Sequence, residues 1–205
     1  MAVERATYHH GDLRNALVTA ASAAVRAGGP PALSVREVAR EVGVSPNAAY
    51  RHFTGRADLL ATVAEHARGA MGAAMAERLA ALPPEADPLR RARARLSAVG
   101  RGYVEWALAE PGLFRVAFGA APPDGQAPGC VGGPDPWQML QERLDELDEA
   151  GGLGHRGRDG ADSTAWAAVH GLAELLLGPF ATADERERAV ALDRLVAVVG
   201  AGLSA

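Results

Sequence analysis

A single cysteine, Cys130, leaves no intrachain disulfide possible, and a reducing compartment is the expectation. No apolar run is long enough to cross a bilayer, and no charged-then-apolar leader opens the chain. A soluble, cytoplasmic protein is therefore expected. Lysine is absent, so all 21 basic side chains are arginine; this reads as a compositional trait and carries little weight. β-Branched and aromatic runs are scarce, which disfavours sheets, whereas Ala, Leu, Val and Arg dominate and favour helices. The 205 residues suffice for one large domain or two small ones sharing a core.

The net charge of −4 argues by itself against a polyanionic partner, but its distribution matters more. Residues 1–68 carry a small positive excess and four of the six histidines, while residues 69–205 hold the acidic surplus. A basic reader on an acidic body is consistent with that asymmetry.

Gly and Pro punctuate the chain into about nine helices, with no convincing strand and no internal repeat. Leu13, Leu17, Ala20, Ala21, Ala24 and Val25 recur at helical spacing, from near Asp12 to the stop at Gly28-Gly29-Pro30. Ser34 and Glu37 form a capping-box pattern before a second helix that ends at Val42-Gly43. Ser45-Pro46 opens a third, running to His52-Phe53. A long helix is expected after Gly55, reaching Leu82. Another opens at Asp87-Pro88, and a short one covers Leu113 to Phe118. Residues 119–135, rich in Gly and Pro, read as a mobile loop. Further helices open at Asp135-Pro136, near Asp159, and at Thr182-Ala183-Asp184-Glu185, the last read as a second capping box.

The strongest signal is SVREVAREVGVSPNAAYRHF, residues 34–53. Val38, Ala39, Val42, Val44, Ala49 and Phe53 supply a compact apolar set. Ala39 is small where two helices must approach, and Gly43 tolerates the positive φ of a sharp turn. In a helix-turn-helix the second helix enters the major groove N-terminus first. That presents Ser45, Pro46, Asn47 and Ala48 to base edges, with the Asn47 amide able to pair with adenine. Tyr50, Arg51 and His52 lie further along, placed for phosphates. A helical hairpin inside an enzyme is the competing reading.

The stretch LSVREVAREVGVSPNAAYRHFTGRADLL resembles the DNA-binding signature of the Tet repressor (TetR) family. Its alanine in helix two, Gly-Val-Ser turn, Tyr50-x-x-Phe53, basic Arg56 and Leu59-Leu60 all fall in place; Arg56 stands where lysine is more usual. The resemblance implies an all-α protein: a three-helix reader over residues 1–60 and a helical effector-binding and dimerisation domain over 61–205. It further implies that Ser34 and Val35 lie near a phosphate, and that Arg56 contacts one. The start YHHGDLR resembles a subgroup whose His-rich arm precedes helix one, which would bring Tyr8, His9 and His10 within reach of the DNA backbone; a frayed terminus is the alternative. Downstream, Trp166 and His170-Gly171 resemble a Trp-His-Gly type of C-terminal domain. The implied function is a ligand-responsive regulator, a repressor by family default, bound to palindromic operator DNA as a homodimer and released by a small, largely apolar effector.

Tyr103, Trp106, Phe114, Phe118, Trp137, Trp166 and His170 are the large side chains available to line an effector pocket, although aromatics on helices equally fill cores. The last two helices are apolar over more than one stripe. Val169, Leu172 and Leu176 on one, with Leu192, Leu195, Val196 and Val199 on the other, are candidates for a two-fold interface, against a large monomeric core. No catalytic residue, metal or cofactor is expected. His9-His10 lacks completing ligands, Cys130 lacks a base, and Ser163 with Asp162 and His170 has no oxyanion donors. A helical enzyme and an architectural DNA binder without a ligand remain the rivals.

Overall fold

The computed structural model describes residues 10–119, 129–155 and 157–204. Tyr8 and His9 of the proposed arm, and most of the 119–135 loop, lie outside them. Among the described residues there are nine α-helices, one 3-10 turn and no strand. The helices are α1 (His10–Gly28), α2 (Val35–Val42), α3 (Pro46–Tyr50), α4 (Arg56–Ala80), α5 (Pro88–Ala109), α6 (Pro111–Gly119), α7 (Pro136–Glu149), α8 (Ala161–Leu177) and α9 (Glu185–Leu203). No described helix is long and apolar enough to cross a membrane.

Two compact units result, and they do not divide at 60/61. The first comprises the described residues through Ala67 together with α6; the second comprises Arg68–Glu110 and the residues after the loop. Helix α4 contributes to both. In the first unit α1 packs on α2 and α6, and α2 on α3. Leu17, Val25, Val38, Ala39, Phe53 and Leu59 are almost wholly buried in it. Gly112 lets α6 lie against α1, since a Cβ there would stand 2.3 Å from the Val25 carbonyl oxygen. That contact draws Phe114 into this core, fully buried. The 3-10 turn Pro30–Ala32, not foreseen from the stop at Gly28-Gly29-Pro30, joins α1 to α2.

In the second unit α5 is central, packing on α7, α8 and α9. Leu140, Leu144, Ala161 and Ala165 form a core patch joined by Leu96 and Val199. Burial of each leucine contributes about 1.5–3 kcal/mol. The C-terminal part of α4 carries Gly69 and Gly72, and these admit a neighbouring backbone: Cβ atoms there would fall 2.0 Å from Val131 O and 1.9 Å from Pro134 O. The Arg68 Nε–H donates to the Gly129 carbonyl at 2.8 Å. The described part of the expected mobile loop is thus pinned against α4, where close backbone contact replaces side-chain packing.

Caps follow the sequence with two exceptions. Asp87 and Asp135 cap α5 and α7 as read. The last helix is capped by Asp184, not Thr182, and its box is completed by Glu187. At α2 the Ser34 hydroxyl accepts from Glu37 N–H at 3.5 Å, so the forward half of the expected box is present.

Candidate nucleic-acid interface and ligand cleft

Helices α2 and α3 are joined by a three-residue turn. Gly43 adopts φ 79°, ψ 26°, a left-handed conformation that suits glycine. Val44 N–H then donates back to the Ala39 carbonyl at 2.9 Å, closing the turn. Ser45 accepts from Ala48 N–H at 3.2 Å, and Pro46 occupies the first helical turn. Helix α3 ends at Tyr50, short of the expected His52-Phe53. Ala49 and Phe53 anchor it inward, fully buried, so that Ser45, Pro46 and Asn47 face solvent, with Ala48 partly covered. Tyr50 and Arg51 are exposed and His52 half-buried. One polar edge on a rigidly seated short helix is the geometry that major-groove reading requires.

The residues expected at phosphates divide. The Val35 side chain is buried, which leaves only its backbone N–H, at the start of α2, for an anion. Ser34 is half-buried and engaged as the α2 cap. Arg56 does structural work: its Nε–H and a terminal N–H donate to the carbonyls of Leu33 (3.0 Å) and Pro30 (2.6 Å), tying the start of α4 to the 3-10 turn. Arg14 lies over the Phe53 ring, 4.8 Å from its centroid, and reaches Thr62 Oγ1 at 3.4 Å.

The second unit contains an open cleft. Its walls come mainly from α5, α8 and α9, and are apolar: Leu96, Leu140, Val169 and Val199 among them. Of the seven side chains expected to line a pocket, Tyr103 and Trp166 do. They touch edge-on at 5.2 Å, and Trp137 extends the row with its ring 5.3 Å from Trp166. His170 stands behind, its Nδ1 2.8 Å from the Tyr103 hydroxyl. Burial, reinforced by the nearby Glu174 carboxylate, pushes the Tyr103 phenol up, so it stays protonated. Trp106 instead faces a shallow recess beside Arg78 and Glu105. Phe114 and Phe118 stack edge-on in the first unit, 5.5 Å apart, and are not part of the cleft. Arg93, Ser97 and Gly100, which also line the cleft, were not singled out from sequence; their spacing on α5 is the signal that could have found them.

The interface candidates on α8 and α9 point in three directions. Leu176 and Leu192 are buried within the chain. Val169, Leu195, Val196 and Val199 line the cleft, and Leu172 is half-buried. The apolar surface that remains open on these helices and the turn between them is Leu175, Phe180, Val190 and Val198, the last 70 % exposed.

Nucleophile chemistry finds little support in the geometry. Burial and Asp135 push the Cys130 thiol up to about 11 against the opposing pull of Arg68, and its S–H donates to Asp135 Oδ2 at 3.5 Å. The Ser163 hydroxyl donates to Gly160 O at 3.1 Å. Among the described residues no three His, Cys, Asp or Glu side chains gather as a metal site.

Comparison with known proteins agrees with this geometry. Residues 17–63 match the family described as bacterial regulatory proteins, tetR family, and residues 96–199 match the tetracyclin repressor-like C-terminal domain. No curated protein matches the chain. A Rhodococcus sp. RHA1 protein of unknown function superposes with a TM-score of 0.73 at 28 % identity, covering 98 % of this chain and 100 % of its own. A TetR variant from Acinetobacter baumannii AYE, solved in complex with minocycline, has a TM-score of 0.62 at 20 % identity over 96 % of both chains. FadR from Bacillus subtilis, solved with stearoyl-CoA, has a TM-score of 0.58 at 14 % identity, over 92 % of this chain and 98 % of its own.

Proposed function

As the chain belongs to the tetR family of bacterial regulatory proteins, we propose that it is a cytoplasmic repressor that binds a palindromic operator as a homodimer and is released by a small molecule. The observation that carries this reading is α3: its inner face is locked by Ala49 and Phe53 while Ser45, Pro46 and Asn47 are exposed at its N-terminal edge. Asn47 reads a base, and Tyr50, Arg51, His52 and the α2 N-terminus hold phosphates. The unit that holds α1, α2, α3 and α6 supplies the reader, and the unit that holds α5, α7, α8 and α9 supplies the sensor. The open apolar residues of α8 and α9 support a two-fold pairing, which would place two readers about 34–36 Å apart or near a multiple of it. The effector occupies the apolar cleft, which favours a sensor over a purely architectural DNA binder. Two structural relatives were solved with minocycline and with stearoyl-CoA, which supports a small-molecule ligand.

The release follows from linkage. A ligand that binds the free protein more tightly than the DNA-bound form weakens DNA binding by the same factor, in the common range of roughly 5–150-fold. The test is a gel shift with DNA from upstream of the protein's own gene, together with selection from random fragments. Retention of a palindromic fragment is expected. Failure to enrich any sequence would overturn the reading, and turnover of a substrate in its place would favour a helical enzyme.

A further inference from the structure

Arg93, Ser97, Gly100 and Tyr103 all face the cleft and recur on α5 every three or four residues, so they form one stripe along the helix. At the helical rise, the stretch from Arg93 to Tyr103 spans about 15 Å. The facing walls are aliphatic, with Leu140, Val169 and Val199 opposite or beside the stripe. The two ends of the stripe differ. Tyr103 closes one end, almost fully buried, its hydroxyl engaged with His170. Arg93 stands at the other end, exposed, and its guanidinium donates to a neutral oxygen, Ser204 Oγ, at 3.3 Å. Among the described residues no carboxylate pairs with it. Gly100 lies between the ends. A Cβ there would stand 3.4 Å from Val169 Cγ1, so the glycine keeps the trough open and a longer side chain would fill it.

A trough with aliphatic walls and, among the described residues, one cation at its mouth imposes a direction on its occupant. We infer that the cleft takes an elongated amphipathic anion, with its apolar body lying over Gly100 and its carboxylate, or a similar oxyanion, at Arg93. This rests on the ligand-responsive reading above and adds the chemical class of the ligand. A guanidinium offers a carboxylate two parallel N–H donors, and a hydrogen bond between charged groups is stronger than one between neutral groups. A neutral molecule of the same shape gains the burial alone. A cationic one sets its charge against Arg93.

The test uses the full chain and three ten-carbon probes, decanoate, decan-1-ol and decylamine, followed by calorimetry in the absence of DNA. Decanoate is expected to bind roughly tenfold or more tightly than decan-1-ol, with decylamine weakest, as a hydrogen bond to a charged group implies. Arg93→Gln should bring decanoate and decan-1-ol to within about threefold of one another. Gly100→Leu should abolish binding of all three, with circular dichroism reporting that the variant folds; Gly100→Ala is the smaller step if it does not. Equal affinity for acid and alcohol in the wild type, no measurable decanoate binding, or an acid preference that survives Arg93→Gln would each overturn the inference. So would a folded Gly100 variant that binds all three probes as the wild type does. Because binding is read without DNA, these failures leave operator retention untouched, and a failed gel shift would leave the binding data standing.

Discussion

The Tyr103 hydroxyl and His170 Nδ1, 67 residues apart in sequence, meet at 2.8 Å and tie α5 to α8 beside the cleft. Among the described residues Tyr103 is the largest fully buried side chain, and its phenol is pushed above its ordinary value, first by burial and then by the Glu174 carboxylate. A folded-state value raised above the unfolded one contributes stability that is fully present below the unfolded value of about 10 and is lost as pH climbs beyond it. Cys130, pushed up to about 11, acts in the same sense from about pH 9 upwards. Tyr103→Phe should cost about 1 kcal/mol at pH 7.5, the worth of one hydrogen bond. The gap to wild type should narrow by pH 10.5, because the variant has no phenol to ionise. Urea unfolding at both pH values is the check; a gap that is constant or wider at pH 10.5 would contradict it.

Asn47 and Arg56 should separate base reading from scaffolding. Asn47→Ala is expected to leave the melting temperature unchanged and to relax preference at one operator position by about 1–3 kcal/mol. Arg56→Ala should do something different. It removes the donors to the Leu33 and Pro30 carbonyls, so it should lower stability by about 1–3 kcal/mol. It should weaken binding to all sequences together. Thermal melts run beside binding titrations distinguish the two; an Arg56→Ala protein as stable as wild type would show that the clamp contributes little.

Charge placed on α9 should report which side faces a partner. Val198 is open, so Val198→Arg should give folded monomers in sedimentation at micromolar concentration. Leu192 is buried within the chain. Leu192→Arg should instead destabilise each protomer by several kcal/mol, since it strands a charge in the core. If Val198→Arg sediments as the wild type does, the pairing face lies elsewhere.

Gly69 should tolerate no side chain. A Cβ there would stand 2.0 Å from Val131 O, against backbone that cannot rotate away as a side chain could. Gly69→Ala should cost about 1–3 kcal/mol, as overpacking does, even though alanine is the better helix former. Chemical denaturation tests this, with Gly171→Ala, where a Cβ meets nothing within 4 Å, as the comparison.

The reader was legible because its rules are local. Ser45, Pro46, Gly43 and Ala39 each answer to a cap, a fixed φ or a close approach within a few residues, and each sits where those rules put it. The pocket was less legible because aromatic identity carries no address. Phe114 and Trp166 look alike as candidates, yet Gly112 sends the first into the core beside α1 while the second lines the cleft. Apolar excess on α8 and α9 likewise gave no direction: Leu176 faces inward, Val199 the cleft, Val198 the solvent. Glycines and prolines over 119–135 suggest mobility on their own, whereas the glycines that decide where its described part lies, Gly69 and Gly72, are on α4.

The packing of α6 against α1 has a consequence for synthesis. The first compact unit draws on residues through Ala67 and again on Pro111–Gly119, so no N-terminal fragment that stops short of α6 contains it whole. A ribosome adding about 5–20 residues per second takes several seconds to pass from the first stretch to the second. During that interval the residues of α1, α2 and α3 have been made, but the face of α1 around Val25 still awaits Gly112 and Phe114. A fragment expressed to residue 67 should share that fate permanently, and a minimal reader must carry α6 grafted on.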